Sequence, residues 1–116
     1  MADAAPSCLF CKIARGDIPA QVVKQDEHYL AFRDINPQAP THVLVIPRAH
    51  VASLNDVRDQ GVVGGLGLFA QAVAKAEGLA DRGYRVVINT NGDGGQTVFH
   101  LHAHVLGGRA MHWPPG

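Results

Sequence analysis

The sequence predicts an α+β fold: an antiparallel sheet of about five strands, covered mainly on one side by one long helix, with one short helix near the N-terminal end. Three observations carry this expectation. Several short runs of β-branched or alternating apolar residues are separated by turn chemistry. One stretch of about twenty residues switches to a helical period. Along the chain the order is helix, hairpin, strand, helix, two strands, without the strand–helix–strand alternation of a parallel sheet.

Residues 1–7 read as a loose terminus. "CLFCKIARG" (8–16) is a short helix closed by Gly16, with Pro19 just beyond. "QVVKQD" (21–26) and "HYLAFRD" (28–34) are short strands with a tight gap at Glu27. "INPQAPTH" (35–42) is a loop because of its two prolines and Asn-Pro pair. "HVLVIP" (42–47) is a strand buried on both faces and stopped by Pro47. From Gln60 to Leu79, residues Val62, Leu66, Phe69 and Val73 follow at steps of four, three and four, one face of a helix. Gly61, Gly64, Gly65 and Gly67 weaken that helix by roughly 1 kcal/mol each relative to Ala. Packing on the sheet must therefore hold it, and the glycines would permit close approach. "YRVVINT" (84–90) is a strand, "NGDGGQ" (91–96) a loop and "TVFHLHAHVL" (97–106) the last strand, ended by Gly107 and Gly108. "MHWPPG" (111–116) continues neither a helix nor a central strand, because of its two prolines.

At 116 residues the chain has the length of one domain, 1–116. It shows no internal repeat, linker or low-complexity tract. Ten basic residues balance ten acidic ones, which argues against a nucleic-acid or anionic-membrane partner. No apolar run approaches the ~20 residues of a membrane span. The start, "MADAAPSCLFCK", lacks the basic and apolar regions of a secretory signal. A soluble cytoplasmic protein is expected. Its two cysteines, Cys8 and Cys11, stand in a C-x-x-C spacing, which in a reducing compartment is more often a metal or redox feature than a staple.

Histidine is the unusual residue. Seven occur, and three of them, His100, His102 and His104, alternate with Leu101, Ala103 and Val105. On a strand the three share one face, about 6.7 Å apart, and the apolar residues point the other way into core. Imidazoles so close suppress one another's protonation, which leaves them neutral near pH 7 and usable as nucleophile, base or metal ligand. A solvated histidine stripe is the plainer alternative. The preceding "NTNGDGGQT" (89–97) has four Gly or Asp positions that can bring backbone N–H groups to a ligand, and Gln96 and Thr97 add donors. A phosphate is the natural occupant; a plain turn is the alternative.

The H-φ-H-φ-H-φ-φ run resembles the signature of the histidine-triad (HIT) superfamily. The segments "AFRDINPQAPTHVLVIP" (31–47), "DGGQTVFHLHAHVLGGR" (93–109) and "MHWPPG" (111–116) resemble its nucleotide-binding Hint branch, and the likeness runs from about Cys8 to Gly116. The resemblance implies a HIT-like fold and a homodimer that binds purine nucleotides and hydrolyses nucleoside phosphoramidates, releasing the nucleoside monophosphate. It implies His102 as the nucleophile, its tautomer set by the backbone carbonyl of His100, and a nucleotidyl-histidine intermediate. His104 would donate to the phosphate, and His42 and His100 would extend the hydrogen-bonded chain. Thr97, where relatives commonly carry Ser, would stand near the leaving group. Gly95 and Gln96 would present loop donors, with Val98 beside them, and Asn89 would touch the phosphate side. Asp34 matches a ribose-binding carboxylate, with a loop cap as its plainer reading. Leu9, Phe10, Ile13, Ile18, Phe32 and Ile35 match an apolar base slot, with ordinary core as theirs. Two departures stand out: Ala103 is smaller than the Leu often found there, and the segment from Ser53 to Gln60 is shorter than in some relatives.

The chemistry so implied requires no cofactor. Cys8 and Cys11 would supply half of a tetrahedral zinc site, and the likeness to zinc-binding relatives implies His50 and His100 as the other half of a structural zinc site; two thiols on a short helix is the alternative. Trp113, the only Trp, would lie in a C-terminal tail (110–116) near the dimer interface, reaching towards the partner's nucleotide site. Two other readings stay open: a nucleotide-binding scaffold with little catalysis, and a zinc-binding protein whose histidines are ligands. The "MHWPPG" end argues against the dinucleoside polyphosphate hydrolases and nucleotidyl transferases of sister branches.

Overall fold

In a computed structural model, which describes residues 7–116, the elements run α1 (Leu9–Arg15), β1 (Val22–Gln25), β2 (Tyr29–Arg33), β3 (Thr41–Pro47), α2 (Gln60–Ala76), β4 (Tyr84–Val87), α3 (Asn91–Gly94) and β5 (Ala103–Gly107). All but the last residue of the expected loose terminus lie outside the described residues. The five strands form one antiparallel sheet in the order β1-β2-β3-β5-β4. Among the described residues no helix is long and apolar enough to cross a membrane.

Local chemistry explains the element ends. Cys8 caps α1, its Sγ accepting from the Cys11 N–H at 3.4 Å, and Gly16 closes the helix in the left-handed region at φ +83°. Asp26 makes the hairpin turn by accepting the N–H groups of His28 and Tyr29 at 2.8 and 2.7 Å. Asp59 caps α2 through the Gly61 N–H at 2.8 Å. That helix ends at Ala76, three residues before the expected Leu79. Gly78 turns left-handed, and Leu79 folds back into the core with its N–H on the Ala74 carbonyl at 2.9 Å.

The centre of the sheet is covered on both faces, not mainly on one. On the α2 side Val43, Val45, Leu101, Ala103 and Val105 pack against Leu66, Phe69, Ala70 and Val73. On the other side Leu44 and Ile46 pack with Leu30, Phe32 and Phe10 of α1. β3 is thus buried on both faces, as its unbroken apolar run implies. Each fully buried Val or Leu contributes about 1.5–3 kcal/mol. Of the α2 glycines, Gly65 needs its missing side chain: a Cβ there would stand 2.8 Å from Tyr29 Cζ, whose hydroxyl donates to the Val62 carbonyl at 2.9 Å. Gly64 and Gly67 meet nothing within 4 Å, so close packing does not account for them.

Two sequence expectations are corrected at the end of the sheet. The stretch 91–96 is not only loop, since Asn91–Gly94 forms a helical turn closed by Gly95 at φ +88°. The last strand begins at Ala103, six residues later than the Thr97 expected. The β3–β5 ladder stops at the Val45–Ala103 pair because Pro47 has no N–H to extend it, and the His100 side chain occupies the Pro47 carbonyl instead. The facing pattern survives the loss of ladder. Leu101, Ala103 and Val105 enter the α2-side core, and His102 and His104 turn to the opposite face.

Candidate active site

That opposite face holds a cavity of about 440 Å³ between α1, the end of β2, the middle of β3, and the start of β5 with the segment leading into it. Eleven of the residues singled out from the sequence line it. Leu9, Phe10, Ile13, Ile18, Phe32 and Ile35 form an apolar slot, Ile35 standing fully exposed at the rim. Asp34, Thr97, Val98, His102 and His104 are also on the wall. Sequence reasoning missed Pro19, Ala20, Gln21, Arg33 and Leu44, the last lying directly opposite His104 in the β3–β5 register. The alternation along β3 from His42 was the available signal for Leu44.

Other candidates lie elsewhere. His42 and His100 are buried behind the cavity. Asn89 sits half-buried beside Gly95, off the wall. Gln96 is buried and its polar groups are committed. Its Oε1 accepts from Asn91 N at 2.9 Å, and its Nε2 donates to the Ala52 and Val98 carbonyls at 2.8 and 3.1 Å. The N–H groups of Gly95 and Gln96 close the Asn91–Gly94 turn. These two residues therefore brace the loop and do not present donors to the cavity, a correction to the sequence expectation. Trp113 is 83% exposed and away from the cavity of its own chain; its tail is tied by Arg85 Nη2 donating to the His112 carbonyl at 2.7 Å.

Hydrogen bonds assign the proton on each imidazole, because a carbonyl can only accept and a backbone N–H can only donate. His100 Nε2 lies 2.7 Å from the Pro47 carbonyl, so it carries the hydrogen and leaves a lone pair on Nδ1. His102 Nδ1 lies 2.7 Å from the His100 carbonyl, so it donates there and leaves the lone pair on Nε2. His42 Nδ1 accepts from the Gln38 N–H at 3.0 Å, so its hydrogen sits on Nε2. That Nε2–H donates to His104 Nδ1 at 2.9 Å, which puts the His104 hydrogen on Nε2. Asp34 Oδ2, 3.4 Å from His42 Nε2, favours the same direction. The Phe10 ring meets His102 edge-on with centroids 5.1 Å apart. Asp34, His42 and His104 are close enough together to suggest a cation site, with potential ligand atoms within 4.8 Å. The donor on His42 Nε2 makes the group a hydrogen-bond chain instead.

All four imidazoles are held below the usual histidine range. Burial is the first cause in each, and it lowers His100 and His104 to about 4. Repulsion from neighbouring histidines adds to the shift at His100 and His104 but is secondary to burial, contrary to the weight the sequence reading gave it. Depressed folded-state values mean that the unfolded chain takes up protons the native chain refuses between about pH 6.5 and 4. Stability from these groups is whole above about pH 6.5 and lost as pH falls towards 4. Calorimetry is expected to show the thermal midpoint falling over that window, and His104→Gln to flatten the fall. A midpoint independent of pH there would contradict neutral burial.

Behind the triad, Cys8, Cys11, His50 and His100 bring one ligand atom each within 4.8 Å of one another. Cys8 Sγ is 3.3 Å and Cys11 Sγ 3.5 Å from His100 Nδ1, and Cys11 Sγ is 3.3 Å from His50 Nδ1. Tetrahedral zinc with bonds of about 2.3 Å to sulfur and 2.0–2.1 Å to nitrogen has S···N edges of about 3.5 Å. The donor set therefore fits zinc, and the His100 Nδ1 lone pair faces the thiols. The bond from His100 Nε2 to the Pro47 carbonyl is the outer contact that orients a ligating histidine.

Residues 15–111 match the HIT domain family. The purine nucleoside phosphoramidase of Escherichia coli (strain K12) is 46% identical over 109 residues, covering 92% of each chain. A 14 kDa zinc-binding protein of Zea mays is 52% identical over 112 residues, covering 93% of this chain and 87% of that one. The crystal structure of a HIT family hydrolase from Legionella pneumophila Philadelphia 1 superposes with a TM-score of 0.92 at 56% identity, covering 95% of this chain and 100% of that one. With His102 and His104 on the cavity wall and His100 buried behind them, this chain belongs to the HIT domain family.

Proposed function

We propose that the chain hydrolyses the P–N bond of purine nucleoside 5′-phosphoramidates. The observation that carries this reading is the His102 proton. Its Nδ1–H is committed to the His100 carbonyl at 2.7 Å, so a neutral, unprotonated Nε2 belongs to a side chain on the cavity wall. The nucleoside base fills the slot of Leu9, Phe10, Ile13, Ile18, Phe32 and Ile35, and Asp34 accepts from the ribose hydroxyls. His102 Nε2 attacks the α-phosphorus. The P–N bond breaks and the amine leaves with its electron pair, taking a proton from water. His104 Nε2–H donates to a phosphate oxygen, the His42 chain behind it holding that orientation, and the Thr97 hydroxyl stands by the leaving group. Water then attacks phosphorus and gives up a proton to solvent, the bond to His102 breaks with its electron pair returning to Nε2, and nucleoside monophosphate departs. The E. coli relative, named a purine nucleoside phosphoramidase, supports the reading.

The test is incubation with an adenosine 5′-phosphoramidate, following release of the amine together with AMP. Stoichiometric appearance of both is expected. Tight nucleotide binding without turnover of any phosphoramidate would favour a binding module instead.

Two further features belong to this reading. The Cys8–Cys11–His50–His100 group would hold a structural zinc, in keeping with the name of the maize relative. The zinc would cross-link α1 to the segments carrying His50 and His100; the proposed reaction uses no metal. A homodimer is favoured by β4, a sheet edge whose Tyr84 and Val86 are partly exposed, and by the outstanding Trp113. An unpaired apolar edge of this kind invites a partner strand.

A further inference from the structure

We propose that the backbone N–H of Gln38, in a loop held by Arg109, is the positioning group that fixes the His42 tautomer and thereby decides which face of His104 carries a proton. Neither residue lines the cavity. The kinetic consequence rests on the phosphoramidase reading; the tautomer itself does not.

The His42–His104 pair is symmetric in kind. A neutral imidazole carries its hydrogen on either nitrogen. In one direction His42 Nε2–H donates to His104 Nδ1, and His104 turns an N–H to the cavity. In the other, His104 Nδ1–H donates to His42 Nε2, and His104 turns a lone pair to the cavity, which repels an anionic phosphate oxygen. The internal hydrogen bond at 2.9 Å is kept either way. Something outside the pair must choose. In the second direction the His42 hydrogen would sit on Nδ1, facing the Gln38 N–H at 3.0 Å, two donors pointed at each other. His42 is 6% exposed, so water does not relieve that conflict. Asp34 Oδ2 adds a weaker bias the same way at 3.4 Å.

The loop that offers this N–H is braced from both ends. Asn36 N–H donates to Asp34 Oδ1 at 2.8 Å, and Gln38 Nε2 donates to the Asn36 carbonyl at 2.9 Å. Arg109 Nη2 donates to the Gln38 carbonyl at 3.0 Å and Nη1 to the Ala110 carbonyl at 3.0 Å. Gly108 makes this reach feasible. It sits at φ +92°, and a Cβ there would lie 2.8 Å from Pro40 Cβ, so the chain leaving β5 presses against the loop. The Arg of the "GGR" run thus serves the triad from outside the site.

The experiment reads His42 directly. Long-range 15N–1H correlation spectra of the full chain near pH 7.5, where neutral imidazoles prevail, are expected to show wild-type His42 protonated on Nε2. Gln38→Pro, which deletes the N–H, is expected to populate the Nδ1–H tautomer and to lower kcat by about 2–10-fold, the worth of one hydrogen bond, with KM within about twofold. Gln38→Ala keeps the N–H and is expected to restore the wild-type tautomer. Arg109→Ala is expected to give a mixture of tautomers and a smaller loss of kcat, and it serves if Gln38→Pro does not fold. A wild-type His42 protonated on Nδ1 overturns the proposal, as do unchanged tautomer populations in both Gln38→Pro and Arg109→Ala. The expected tautomers in a protein that turns over no phosphoramidate would sustain this inference and remove the functional reading alone.

Discussion

His102→Ala is expected to lose kcat towards phosphoramidates by a factor of about 10⁴ or more, the scale seen when a covalent nucleophile is deleted, while nucleoside monophosphate is expected to bind within a few-fold of wild type. The asymmetry follows from where the ring sits. In the proposed reaction, binding energy comes from the apolar slot and Asp34, which the substitution leaves in place. The bond to phosphorus would come from one lone pair, that on Nε2, freed because Nδ1–H is committed to the His100 carbonyl. His102→Asn sharpens the point, since a carboxamide near the same place still donates but forms no stable bond to phosphorus. Single-turnover assays beside equilibrium binding separate the two effects. Retained turnover in either variant would end the covalent account, and weakened binding with turnover intact would recast His102 as a binding residue.

Zinc removal is expected to be the second large effect, and to fall on stability rather than on chemistry. With free zinc about a thousand times its Kd, a site present only in the folded chain adds about 4 kcal/mol. For a domain of this size that raises the thermal midpoint on the order of 10 °C. A strong chelator is expected to reverse the gain, and Cys11→Ser to make the midpoint indifferent to both zinc and chelator. Turnover per folded molecule is expected to persist after chelation at a temperature where the metal-free chain remains folded. Calorimetry with metal analysis of the same samples decides it. A midpoint unmoved by zinc would leave the Cys–His group as a hydrogen-bonded cluster, and turnover that vanished with the metal would make the site catalytic. The thiols and the apolar slot share a short helix: Cys8 and Cys11 meet the histidines, and Leu9, Phe10 and Ile13 line the cavity. Zinc would therefore also hold one wall of the cavity.

Much of this site is legible in the chain because its periods are short. The alternation from His100 to Val105 assigns histidines and hydrocarbon to opposite faces without any knowledge of the rest of the fold. The C-x-x-C spacing brings two thiols to one side of a helical turn. The unbroken run in β3 announces a strand with core on both faces. The apolar slot is different. Phe10 and Phe32 look like ordinary core by composition, and only their likeness to a family pattern marked them as a wall.

The order of residues dictates which side chains share a face and which can ligate or attack. The assembled fold dictates where the protons are. The Pro47 carbonyl taken by His100 and the Ala52 carbonyl taken by the Gln96 amide join residues far apart in sequence, and the Gln38 N–H, only four residues from His42, is set in a loop that Arg109 holds from far along the chain. A tautomer depends on the one donor or acceptor within about 3 Å of each nitrogen, and no local pattern encodes a contact made across the fold. Burial, which depresses the histidines more than their mutual repulsion does, is likewise a property of the assembled layers.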